Sequence, residues 1–218
     1  MRKLINSILS LKNGNIRNSV DRRIREFSAF GGPAAGWKSL GKKSDKEIFK
    51  ELCFCLLTAN FNAERAIKIQ KEIGNGFLNL TEKRLAQTLR ALGYRYPNIR
   101  AKYIVAARKT YVRCRTPHII VYHERSRRDW LVKNIKGLGY KEASHFLRNI
   151  GYENFAIIDF HIVDLLVRYN LTYRPKYLTK TRYFEIENLL AKIAEKSKLT
   201  LAELDLYLWY METGKVLK

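Results

Sequence analysis

The chain has 218 residues, 46% hydrophobic and 28% charged, with 42 Lys and Arg against 20 Asp and Glu for a formal net charge of +22. That composition supports a buried core and excludes wholesale disorder. The charge favours a polyanionic partner through counterion release, although the surface of a heat-adapted or ribosome-associated protein also fits it.

The periodicity is helical nearly throughout, and the predicted class is all-α. Ser44-Asp45-Lys46-Glu47 reads as a capping box. After it, Ile48, Phe49, Leu52, Cys53, Leu56 and Leu57 form a stripe on one helix face, and the helix should stop near Thr58-Ala59-Asn60. Asn62 caps the next helix, which runs to the Gly74-Asn75-Gly76 break. Thr81 opens another that ends at Gly93, Pro97 restarts the chain, and Ala101 to Arg113 continues as a basic helix. Ser126-Arg127-Arg128-Asp129 repeats the capping pattern. A helix from about Tyr140 ends at Gly151, and Thr200-Leu201-Ala202-Glu203 caps the last one. Strand signals are weak: Ile119 to Tyr122 and Phe155 to Ile158 are short apolar runs that could equally be buried connections. The Gly31 to Gly36 loop and the segment around Pro175 read as irregular.

Three cysteines, Cys53, Cys55 and Cys114, are too few for a disulfide framework or a four-cysteine iron–sulfur cluster. Cys53 and Cys55 read as packing residues in an apolar helix. No apolar run approaches ~20 residues, so no membrane span is predicted. The N-terminus lacks the apolar core and cleavage signature of a signal peptide. The expected location is intracellular, the cytoplasm or nucleoid of a prokaryote.

The chemistry concentrates at Ile135-Lys136-Gly137-Leu138-Gly139-Tyr140-Lys141. Two glycines bracket one apolar residue between two amphipathic helices, which permits a tight turn and close backbone approach to another molecule. The turn leads into a helix N-terminus, whose free N–H groups attract anions. A DNA phosphate suits that place; a plain helix-turn-helix corner is the bland alternative. Lys141 lies in the first helical turn, where the dipole disfavours a cation, and Lys136 adds repulsion. A lysine able to shed its proton is a nucleophile capable of a Schiff base; a surface lysine on a phosphate is the other reading. Further on, Ala156-Ile157-Ile158-Asp159-Phe160-His161 delivers one carboxylate at a helix start. Asp159 can be an N-cap, a stabiliser of positive charge in a transition state, or both. His161 suits a phosphate contact or a polar helix face.

Gly137-Leu138-Gly139 with Lys141, then Glu142-Ala143-Ser144-His145-Phe146-Leu147-Arg148-Asn149 and Ile158-Asp159-x-His161, resembles the helix-hairpin-helix glycosylase superfamily. Within it the chain is similar to the archaeal-type 8-oxoguanine DNA glycosylase/lyases. Leu52 to Asn60, Gln70 to Gly74, Arg100 to Val105, Leu204 to Tyr210 and the terminal Gly214 to Lys218 carry the likeness over most of the chain. The resemblance implies that Lys141 attacks C1′ of the damaged nucleotide and that Asp159 supports the attack. It implies Tyr96 and Trp209 as the faces on which a flipped base stacks, Lys218 as the residue closing the base pocket, and Asp205 as a contact to the base edge. Asn60 would fill the gap left in the duplex, with Phe61 as a wedge beside it. Without the resemblance, Trp209 reads as a core aromatic and Tyr96 as a turn residue.

Lys136, Gly137, Leu138, Gly139 and His161 are then the expected DNA contacts, with Arg125, Arg127 and Arg128 helping to draw in the duplex. Relatives usually carry a basic residue where this chain has Phe160, so one phosphate contact should be missing or moved. The implied architecture is two helical lobes, residues 45–150 and residues 1–44 with 151–218, with the active cleft between them. The implied partner is double-stranded DNA holding an oxidised guanine or an abasic site, bound by a monomer without metal or organic cofactor. A glycosylase for another lesion, such as an oxidised pyrimidine, and a non-catalytic hairpin module remain the rival readings.

Overall fold

The computed structural model describes residues 1–31, 43–114 and 124–218. The expected turn beyond Gly31, the 119–122 run and the side chains of Cys114 and Arg125 lie outside the described residues. Everything regular among the described residues is helical: α1 Arg2–Lys12, α2 Ile16–Ser28, α3 Asp45–Thr58, α4 Ala63–Ile73, α5 Gly76–Asn79, α6 Glu82–Ala91, α7 Pro97–Cys114, α8 Glu124–Asn134, α9 Tyr140–Asn149, α10 Phe160–Arg168, α11 Lys180–Ser197 and α12 Leu201–Thr213. No helix of the described residues is long and apolar enough to cross a membrane.

The caps explain many of the boundaries. Ser44 Oγ accepts from the Glu47 amide while the Glu47 carboxylate accepts from the Ser44 amide, and Thr200 and Glu203 do the same at α12. Asn62, Thr81 and Thr179 each accept from the amide three residues on. Each cap satisfies donors that the first helical turn leaves without intrahelical partners. Ser126 is not a cap: α8 already begins at Glu124, so Ser126 lies inside the helix.

The chain divides into two compact units, Lys43–Phe146 and Met1–Lys42 with Leu147–Lys218. In the first, α3 is the central helix. The expected one-sided stripe is corrected here: every residue from Glu51 to Thr58 is buried, Cys53 and Cys55 completely. A helix apolar all round belongs in a core rather than on a surface. Ile69, Leu85, Leu89, Ala101, Ile104 and Phe146 belong to the same core. In the second unit, Leu4, Ile8, Val20, Val163, Leu166, Leu190 and Leu206 are the buried core. The Phe155–Ile158 run is buried there without forming a strand.

Candidate active site

In the Lys43–Phe146 unit, α8 ends at Asn134 and the hairpin follows. Gly137 has φ +90°, and a Cβ placed on it would lie 2.3 Å from Cδ2 of Tyr103. Only glycine fits, because both the backbone conformation and the tyrosine ring forbid a side chain. The Leu138 side chain is buried and its amide donates to the Ile135 carbonyl at 3.1 Å. The Leu138 side chain therefore anchors the turn. Lys136, Gly137 and Gly139 are exposed. The Lys136 Nζ lies 5.9 Å from the centre of the Tyr103 ring.

Gly139 precedes α9, and its amide donates to Oε2 of Glu142 at 3.2 Å. The other oxygen of that carboxylate lies 3.8 Å from Nζ of Lys141, whose side chain is 27% exposed. Lys141 is thus in the first turn of α9 as expected, accessible, and steered by a carboxylate that also closes the hairpin. The spacing Gly139 to Glu142, half of a capping box, carried that signal in the sequence.

Arg127 and Arg128 correct an expectation. Both are buried, and Arg128 donates to Ser144 Oγ at 3.1 Å with its guanidinium 5.8 Å from the Tyr140 ring. They cannot draw in a duplex from the surface. Arg128 instead ties α8 to α9 across the hairpin, where a buried cation needs hydrogen-bond partners.

Asn60 is exposed with φ +55°, a left-handed conformation that asparagine tolerates better than most residues. Behind it, Arg100 donates to the Ala59 carbonyl at 3.1 Å and to the Tyr94 hydroxyl at 3.0 Å, and that hydroxyl donates to the Leu57 carbonyl at 2.9 Å. Burial pushes the Tyr94 phenol above its ordinary range, opposed by Arg100, so it remains a proton donor. The clamp closes the C-terminal end of α3 and was not legible from sequence spacing. Phe61 packs on Tyr94 with ring centres 4.4 Å apart, under Arg65 at 5.2 Å. Tyr96, just before α7, is 38% exposed and carries Arg95 over its ring at 5.0 Å.

In the other unit, Asp159 is the N-cap of α10. Its Oδ1 accepts from the amides of His161 at 3.0 Å and Ile162 at 3.1 Å. The segment that delivers it is held from α11. The Tyr183 hydroxyl donates to the Ala156 carbonyl at 2.6 Å and accepts from the Ile158 amide at 3.3 Å, and Glu187 accepts from the Ala156 amide at 3.2 Å. Two side chains stand in for the neighbouring strand that this run lacks, because buried backbone groups must be paired. The exposed His161 ring meets Trp209 edge-on, centres 5.8 Å apart. Trp209 Nε1 is buried and has no partner among the described residues. Asp205 pairs with the buried Arg148 at 3.5 Å and lines a small recess with Ala156, Ile162 and Leu208. Lys218 is half-buried at the end of the described chain. No cluster of His, Cys, Asp and Glu among the described residues could hold a metal ion.

An all-helical chain in which a two-glycine hairpin introduces a lysine-bearing helix defines the helix-hairpin-helix DNA glycosylase class. A 3-methyladenine DNA glycosylase of H. pylori, 17% identical over 88% of this chain and 92% of its own with a TM-score of 0.55, shares that fold. The family model described as Ogg-HhH, 8-oxoguanine DNA glycosylase, matches residues 32–199, and the chain belongs to that family. An 8-oxoguanine DNA glycosylase/AP lyase of Korarchaeum cryptofilum is 50% identical over 99% of this chain and 98% of its own. The crystal structure of the Methanocaldococcus jannaschii 8-oxoguanine glycosylase/lyase, in complex with a 15mer DNA containing 8-oxoguanine, is 49% identical with a TM-score of 0.90, covering 99% of this chain and 100% of that one.

Proposed function

We infer that this protein excises 8-oxoguanine from double-stranded DNA and breaks the strand at the resulting abasic site, with Lys141 as nucleophile and Asp159 as the supporting carboxylate. The observation that carries the assignment is the placement of Lys141. Its side chain is partly exposed, in the first turn of the helix that the Gly137–Gly139 hairpin introduces. Family membership supplies the substrate class.

Exposed hairpin backbone at Gly137 and Gly139, with Lys136, grips the sugar–phosphate chain, which positions the protein without reading sequence. The oxidised base is extruded, since a stacked base is out of reach. Tyr96 and Trp209 offer it flat partners, each such stack contributing about 1–3 kcal/mol. Lys218 closes the pocket, and Asp205, braced by Arg148, presents its carboxylate to the base edge. Asn60, held on its left-handed turn, fills the vacated place in the duplex. The amine of Lys141 bonds to C1′ as the C1′–N9 bond breaks, the base leaving with the electron pair. The sugar ring opens at O4′ to a protonated imine. Loss of a C2′ proton then expels the 3′ phosphate oxygen, and water releases the lysine. Asp159 faces the positive charge that develops on the sugar, an electrostatic role that preorganised carboxylates perform well. The protein acts as a monomer on the chromosome, which in a prokaryote lies in the nucleoid; relatives from Methanocaldococcus jannaschii and Thermotoga maritima, both prokaryotes, support that setting.

Single-turnover incubation with duplexes carrying one defined lesion tests this. Excision of 8-oxoguanine followed by strand cleavage, both abolished in Lys141→Gln, is expected. Preferential excision of an oxidised pyrimidine would transfer the protein to another substrate, and binding without any cleavage would reduce it to a DNA-binding module.

A further inference from the structure

Five large apolar side chains are exposed among the described residues: Tyr96, Ile99, Phe160, Tyr173 and Tyr177. Three of them fall between residues 160 and 177, in the first turn of α10 and the connection from α10 to α11. Tyr173 and Tyr177 are 66% and 69% exposed. Each of the three carries a cation over its ring: Arg174 over Phe160 at 5.1 Å, Arg182 over Tyr173 at 3.9 Å and Lys176 over Tyr177 at 5.5 Å. A surface that exposes aromatic rings under cations is unlike an ordinary solvated face, which exposes charge alone.

Arg174 is the best defined of these. Phe160 and Asp164 lie one helical turn apart, on one face of α10. The Arg174 guanidinium spans both, over the Phe160 ring and 2.6 Å from Asp164 Oδ1 through NH1. Its side chain remains 57% exposed. A guanidinium has five N–H donors in a planar fork, so one bond to Asp164 fixes its plane and leaves donors facing outward. Phe160 follows Asp159 directly in the chain. A group beside the carboxylate that serves a deoxyribose also lies beside the phosphates flanking that sugar.

We propose that Arg174, seated on Phe160 and oriented by Asp164, grips a DNA phosphate flanking the lesion, and that Lys176 with Tyr173 and Tyr177 extends this contact along the same backbone. The proposal deepens the functional reading above and rests on it. Arg174 and Lys176 meet phosphates, and the two tyrosine rings pack against deoxyribose. The contact carries no base specificity.

The test is the salt dependence of binding to a duplex with a stable abasic-site analogue, measured by fluorescence anisotropy on the full chain. Arg174→Ala should weaken binding and lessen the slope of log K against log salt by roughly 0.9, the value of a single neutralised phosphate. Phe160→Ala should reproduce much of the affinity loss, and adding it to Arg174→Ala should cost little more, because the two act as one unit. Arg22→Ala, an exposed cation on α2, is the control and should leave the slope unchanged. An unchanged slope in Arg174→Ala overturns the proposal, as does an equal change in Arg22→Ala, which would mark diffuse charge rather than a contact. Failure of the unaltered protein to excise would instead defeat the functional reading, so the two failures are separable.

Discussion

The ring of Tyr103 occupies the space that any side chain at Gly137 would need, its Cδ2 lying 2.3 Å from the position of a Cβ. The hairpin backbone is thereby pressed onto α7, and its outer surface is left bare for a backbone ligand. Gly137→Ala should lower stability by about 1–3 kcal/mol through the positive φ alone and weaken DNA binding further. Denaturant unfolding and a binding titration check this. Adding Tyr103→Ala should relieve the clash and not the backbone strain, so recovery should be partial. Full stability in the single variant would show that the turn is not held as described.

Tyr183 holds the segment that leads into Asp159. Its hydroxyl serves both the Ala156 carbonyl and the Ile158 amide. Tyr183→Phe leaves both groups buried without that partner, a cost of about 1–3 kcal/mol. Excision should slow while affinity for DNA holds. Combined with Asp159→Asn, the tyrosine change should slow excision little further. An equal slowing in both backgrounds would mean that Tyr183 only supports the fold.

The base pocket assignment predicts a split between substrates. Trp209→Phe gives up an indole N–H that has no partner among the described residues, so it should cost little stability. It should hurt excision of 8-oxoguanine more than cleavage of a bare abasic site, and so should removal of Lys218. Rates on the two substrates measured side by side decide the matter; equal losses would remove these residues from the pocket.

Burial pushes the Cys53 thiol well above its ordinary range, with Arg108 opposing and Glu51 assisting. The folded state therefore keeps the thiol proton where the unfolded chain releases it. This contribution to stability is complete below the unfolded thiol's value and is lost as pH rises through and beyond it. Unfolding free energy should decline above about pH 8.5, and the decline should lessen in Cys53→Ala. The native thiol should also resist alkylation at neutral pH. Rapid labelling without unfolding would contradict the burial of α3.

Local signals were readable from the chain alone. Ser44, Asn62, Thr81 and Thr200 announced their helices, since a cap is a matter of a few adjacent residues. Gly137, Gly139 and Lys141 announced the hairpin and the first turn of α9 by spacing. What stayed hidden was long-range. Nothing near Gly137 points to Tyr103, and nothing near Phe155 points to Tyr183 and Glu187, which replace a strand partner. Arg128 read as surface charge because its partners Ser144 and Tyr140 lie on α9, far from it in the chain. Ser126 read as a cap because its pattern matched, although helix α8 had already begun two residues earlier.

Catalysis as proposed turns on a covalent bond between Lys141 and deoxyribose. Borohydride reduction during reaction with a duplex holding one 8-oxoguanine should freeze the imine as a stable protein–DNA adduct, with peptide mass spectrometry locating it at Lys141 and Lys141→Gln yielding none. An adduct on another residue, or efficient excision with no adduct at all, would contradict this mechanism.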